Sequence, residues 1–154
     1  MSERQEHFMA MALALAAEAA AAGEVPVGCV ITDGDGAVIA RGRNRREAEG
    51  CAAAHAEIEA ITQACRRLGA LRGDWRLEDC TLYVTLEPCP MCAGAMILSR
   101  LGTLVYGARE PLTGSCGSVL NLFAENYPGS TAVYGGVLAE ESAALLREFF
   151  QKRR

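Results

Sequence analysis

Apolar residues first recur at helical spacing. Between Ser2 and Ala22, the side chains of Phe8, Met11, Leu15 and Ala19 fall on one face of an alanine-rich run. This predicts an amphipathic helix with that stripe turned inward, ended by Gly23. The pattern then changes. Val27–Thr32 and Ala37–Asn44 read as two strands, and Asp33-Gly34-Asp35-Gly36 between them is a hairpin turn. From Ala54 to Leu68, apolar Ile58, Ile61, Cys65 and Leu68 return to helical period. A polar loop from Gly69 to Asp79 follows and contains the only tryptophan.

Thr81–Thr85 is a strand, and it leads into a helix so apolar (Ala93, Ala95, Met96, Ile97, Leu98) that full burial is expected. Leu104–Tyr106 is a further strand. Pro111, Gly114 and Gly117 mark a loop before a short helix near Val119–Phe123. Ala132–Tyr134 forms a last strand, and Ala139–Gln151 a last helix with Leu145, Leu146 and Phe149 inward. Helices alternating with strands imply an α/β domain of three layers, a mixed sheet with helices on both faces. No repeat or low-complexity linker divides residues 1–154, so one domain is expected.

Composition narrows the class. A chain of 154 residues buries roughly 70% of its unfolded surface without staples. It is 51% hydrophobic, but no apolar run approaches the ~20 residues of a membrane span, so no membrane partner is expected. The N-terminus lacks a signal-peptide pattern, which points to the cytoplasm. Seven cysteines at irregular spacing do not form a disulfide framework and suit a reducing compartment. Net charge is −4, the wrong sign for gripping long nucleic acid by charge alone. The cations are clustered, however: Arg41, Arg43, Arg45 and Arg46 flank Asn44, and Lys152, Arg153 and Arg154 close the chain. Such a basic rim on an acidic body could hold a small RNA loop, or could be a solvated face.

The chemistry lies in His55-Ala56-Glu57 and Pro88-Cys89-Pro90-Met91-Cys92. One imidazole and two sulfurs are three protein ligands for zinc, which leaves a fourth position for a catalytic water. Cys89 followed by Pro90 reads as a helix N-cap with proline at the first helical position, and Cys92 lies one turn on. The positive helix end favours the thiolate, the form that binds metal. Glu57 can handle the water's proton without being a ligand. Two other readings stay open. Cys51, four residues before His55, could complete a closed structural site in a zinc-stabilised binding module, and Cys89 and Cys92 alone could be a redox pair. His7, Cys29, Cys65 and Cys80 read as packing, and Cys116 has no assigned role.

The H-x-E and P-C-x-x-C pair is the pattern of zinc nucleobase deaminases. With Glu24-Val25-Pro26-Val27-Gly28, Asn44, Thr81 through Cys89, Cys92 through Ile97, Gly107-Ala108-Arg109 and Phe149-Phe150, nearly the whole chain resembles the bacterial tRNA-specific adenosine deaminase family. That resemblance implies a cytidine-deaminase-like fold with a five-stranded sheet, assembled as a homodimer. It implies one zinc per subunit with a catalytic water, held by His55, Cys89 and Cys92, and Glu57 as proton carrier. The implied substrate is a tRNA anticodon loop, whose wobble adenosine becomes inosine. Asn44 matches the asparagine that contacts the nucleoside, although it could also simply start a turn. The chain departs from the family at Glu110, where an aspartate usually meets the ribose, and at Gly129-Ser130-Thr131, which replaces an Asn-His pair. Both departures fall on the RNA side, so a deaminase of a free base or nucleoside (guanine, cytosine or adenosine) is the alternative.

Overall fold

The computed structural model describes residues 2–153, so Arg154 of the basic C-terminal cluster lies outside the described residues. Five strands form one mixed sheet: β1 (Gly28–Thr32), β2 (Val38–Arg43), β3 (Thr81–Leu86), β4 (Thr103–Ala108) and β5 (Ala132–Tyr134), in the order β2-β1-β3-β4-β5. β1 runs antiparallel to β2 and β3, whereas β3, β4 and β5 are parallel. The β1–β2 hairpin closes as its sequence demands. The Asp33 carboxylate accepts from the amides of Asp35 and Ala37 at 2.9 and 3.0 Å, and Gly36 takes the positive φ.

Helices cover both faces. On one face lie α1 (Glu3–Ala21) and α5 (Ala139–Gln151); on the other lie α3 (Ala56–Arg72) and α4 (Pro90–Leu98). The core between α3, α4 and the sheet joins Ala60, Ala64 and Met96 to Ile31, Leu82, Val84 and Leu104. The core on the far face joins Phe8, Met9 and Ala12 to Val30, Tyr83 and Val105. This is the expected three-layer α/β architecture.

Details depart from the sequence expectation for local reasons. In α1 the buried residues are Phe8, Met9, Ala12, Ala16 and Ala19, whereas Met11 and Leu15 are only half-buried. The helix is rotated because small residues let it press on β1: a Cβ on Gly28 would overlap the Ala12 carbonyl oxygen. α3 runs past Gly69 to Arg72, and Gly73, in the left-handed region, stops it instead. α4 is not fully buried. Cys92, Ala93, Met96 and Ile97 face the core, but Met91 and Leu98 are 39% and 68% exposed, because an outer-layer helix buries only the side that meets the sheet. The helix expected near Val119–Phe123 is one 3₁₀ turn, Leu122–Ala124. A four-residue helix, α2 (Arg46–Glu49), appears where none was expected. In α5, Phe149 is buried as expected, while Leu145 and Leu146 are half-buried.

Candidate metal centre and its pocket

Two helix starts meet at one point. His55 is the N-cap of α3 and Cys89 the N-cap of α4, both in extended backbone conformation, with Pro90 opening α4 as its sequence predicts. His55 Nδ1 lies 3.7 Å from Cys89 Sγ and 3.4 Å from Cys92 Sγ. The three donor atoms fall within 4.8 Å of one another. One imidazole nitrogen and two sulfurs fit zinc with a fourth position left over. Cys51 sits exposed beyond α2 and outside this group. The closed four-ligand site is therefore not what these side chains build.

One of the two sulfurs is favoured as the thiolate. Cys89 is drawn down to about 4, first by a hydrogen bond from the Cys92 thiol and, against its burial, by His55. Cys92 is pushed far up because it gives that bond, and burial and the nearby Glu57 add to the effect. Glu57, on the first turn of α3, is 4% exposed. Its burial raises the carboxyl above the ordinary range, and His55 pulls the other way. A buried carboxylate two residues from one of the three donors is placed to take and return a proton.

His55, Glu57 and Cys89 line a cavity of about 150 Å³ together with Val25, Asn44, Arg46, Glu87, Glu110 and Thr113. Asn44 is buried and its amide is held in one orientation: Nδ2 donates to the Val25 carbonyl at 3.3 Å and Oδ1 accepts from the Arg46 amide at 3.2 Å. One N–H and one lone pair remain for a ligand. Glu110 lines the same cavity, with its carboxylate accepting from the Leu112 amide at 2.9 Å. All six residues singled out in the sequence thus border one cavity or its metal group. The arginines divide. Arg46 lines the cavity, whereas Arg43 and Arg45 lie close enough to Glu24 for their charge to lower its carboxyl, alongside the amides of Glu47 and Ala48 and against its burial.

Two residues acquire a place here that the sequence did not give them. Glu24, 2% exposed, accepts from the amides of Glu47 and Ala48 at 2.9 and 2.8 Å and so anchors α2 beside the cavity. Glu87, also 2% exposed, binds the loop on the other side. Burial pushes the Glu87 carboxyl up, but the Ser118 hydroxyl and three amides outweigh it and hold it low. An isolated acid flanked by apolar strand or loop residues was the one available signal.

Residues 2–108 match the model of the cytidine and deoxycytidylate deaminase zinc-binding region. The chain belongs to this zinc-dependent deaminase family. Within the family it is 48% identical over 133 residues to the tRNA-specific adenosine deaminase of Bacillus subtilis, covering 86% of this chain and 80% of that one. A solved structure from a study of A-to-I editing by tRNA:A34 deaminases at the wobble position of transfer RNA superposes with a TM-score of 0.84 and 42% identity, covering 91% of this chain and 99% of that chain. A guanine deaminase from Nitrosomonas europaea superposes with a TM-score of 0.78 and 30% identity, covering 94% and 83%. The five-stranded sheet of this deaminase is the one that the family resemblance implied, and His55, Cys89 and Cys92 form a group that could hold a metal ion.

Proposed function

We propose that this deaminase converts adenosine to inosine at the wobble position of tRNA anticodons. The observation that carries the reading is Glu57, buried and lining one cavity of about 150 Å³ with Asn44, His55 and Cys89, the last two belonging to the three-donor group completed by Cys92. His55, Cys89 and Cys92 would hold one zinc per chain, and zinc in such a three-ligand site would lower the pKa of water toward ~7 and so supply a nucleophile at neutral pH. Glu57 accepts the water's proton and delivers it to N1 of the base as oxygen is added at C6. It then takes the remaining proton from the oxygen added at C6 and gives it to the amine as the C6–N bond breaks, so adenosine and water become inosine and ammonia. The free N–H and lone pair of Asn44 meet the purine edge, and Glu110 borders the sugar side. A loop nucleotide is already unstacked, so turning it into the cavity costs little.

The whole chain acts as one deaminase unit in this reading, in the cytoplasm and as a homodimer. Exposed Met91 and Leu98 on α4, with Leu112, Val119 and Leu120 in the following loop, are the apolar surface such a pairing would cover. No helix among the described residues is long and apolar enough to cross a membrane. A second reading, deamination of a free base such as guanine, draws on the guanine deaminase likeness and the net charge of −4. Incubation with an anticodon stem-loop and, separately, with free adenine and guanine decides between them. Inosine formed in the RNA is the expected result, and faster ammonia release from a free base would overturn it.

A further inference from the structure

Glu87 sits at the end of β3, two residues before Cys89, and its carboxylate is occupied entirely by one loop. Oε1 accepts from the Glu110 amide at 3.0 Å and from the Ser118 hydroxyl, and Oε2 accepts from the amides of Cys116 and Ser118 at 2.9 and 3.2 Å. Main-chain bonds brace the same junction: Glu87 donates to the Ala108 carbonyl at 2.8 Å, and Ser115 to the Pro88 carbonyl at 2.9 Å. Gly114 lies against the carboxyl group, and a Cβ there would overlap it. The loop concerned, residues 109–118, contains no helix and no strand, and Leu112 at its tip is 83% exposed. It nevertheless brings Glu110 and Thr113 to the cavity wall. An irregular, solvent-facing segment loses much conformational entropy when fixed, and a buried carboxylate with four donors is the contact able to fix it.

We propose that Glu87 is the positioning residue of the substrate-facing wall: by collecting four donors from loop 109–118 it sets where Glu110 and Thr113 stand relative to the zinc ligands. Only a carboxylate does this, because it is acceptor-only with about four lone-pair sites. A glutamine would turn an NH₂ group toward backbone amides that cannot reverse their role. The inference deepens the deaminase reading above and rests on it for its catalytic consequence.

The test compares Glu87→Gln, Ser118→Ala and Glu110→Ala, alone and with Glu87→Gln and Glu110→Ala combined. Glu87→Gln should keep one zinc per chain, since no ligand is altered, while the amides of Cys116 and Ser118 exchange hydrogen at least about tenfold faster. On an anticodon stem-loop its kcat/KM should fall roughly 10²-fold, the size expected of a misplaced substrate contact, and mostly in KM. The double variant should lose little beyond the worse single variant, because both changes act through one wall. Ser118→Ala removes a donor from the loop side and should show the same pattern more mildly. It also carries the test if Glu87→Gln does not fold. Unchanged exchange at Cys116 and Ser118, or losses that multiply in the double variant, would overturn the proposal. The exchange measurement needs no substrate, so an enzyme inactive on RNA would count against the proposed function and not against the role of Glu87.

Discussion

At Glu57 the roles of ligand and proton carrier can be separated by experiment. The carboxylate is buried beside the cluster but is not one of the three converging donors. Glu57→Gln keeps the side chain's size and polarity and cannot shuttle a proton. Zinc content and melting temperature should stay near those of the parent protein, while deamination falls by at least about three orders of magnitude, because one group serves two proton transfers. Loss of zinc with the carboxylate would make Glu57 a ligand. The cysteines give a second contrast. Cys89→Ala should abolish zinc binding, whereas Cys51→Ala, at an exposed position away from the cluster, should leave one zinc per chain by metal analysis. What could be read in the sequence follows from where the partners are. His55, Glu57, Cys89 and Cys92 stood out because H-x-E and P-C-x-x-C are local patterns at helix starts. Glu24 and Glu87 stayed hidden because their partners are backbone amides 23 to 31 residues away, and every residue but proline has one.

The elements depend on close backbone approach as much as on hydrophobic periodicity. The first turn of α3, which follows directly from His55, is pressed on β2 at Gly42, where a Cβ would overlap the Ala56 carbonyl oxygen. Gly42→Ala must therefore push the start of α3 off the sheet. The expected loss is about 3 kcal/mol, read as a melting temperature lower by roughly 6–12 °C for a chain of this size. Zinc affinity should weaken with it, since His55 moves with the helix, and unchanged zinc binding would show that the ligand is held independently of α3. The same closeness explains why the apolar pattern misplaced the α1 stripe. Met11 and Leu15 are the larger apolar side chains, but Ala12 and Ala16 fit against β1 at Gly28. Periodicity located the helix, and contact size set its rotation. α2 was invisible to both, because its stability comes from Glu24, which precedes it by more than twenty residues.

For the molecule as a whole, net charge and local charge point in different directions. The body carries −4, yet Arg46 opens onto the cavity and Arg41 is exposed at the β2 edge of the sheet. If these cations hold an anticodon arm, log kcat/KM for RNA should fall linearly with log salt, with a slope of about 0.7 per contacted phosphate. Only a shallow slope is expected, because the body carries −4 and few cations border the cavity. A salt-independent rate on RNA would remove the basic rim from the mechanism.

The zinc donors stand at the starts of two helices packed against one sheet face, while another part of the cavity wall comes from an irregular loop tied in by a buried acid and two main-chain bonds. In evolutionary terms the two halves can change at different rates. Changes within residues 109–118 alter the wall that Glu110 and Thr113 contribute and leave the three donors His55, Cys89 and Cys92 untouched. A tRNA:A34 deaminase and a guanine deaminase both superpose on this scaffold, so the same layered frame carries more than one purine substrate.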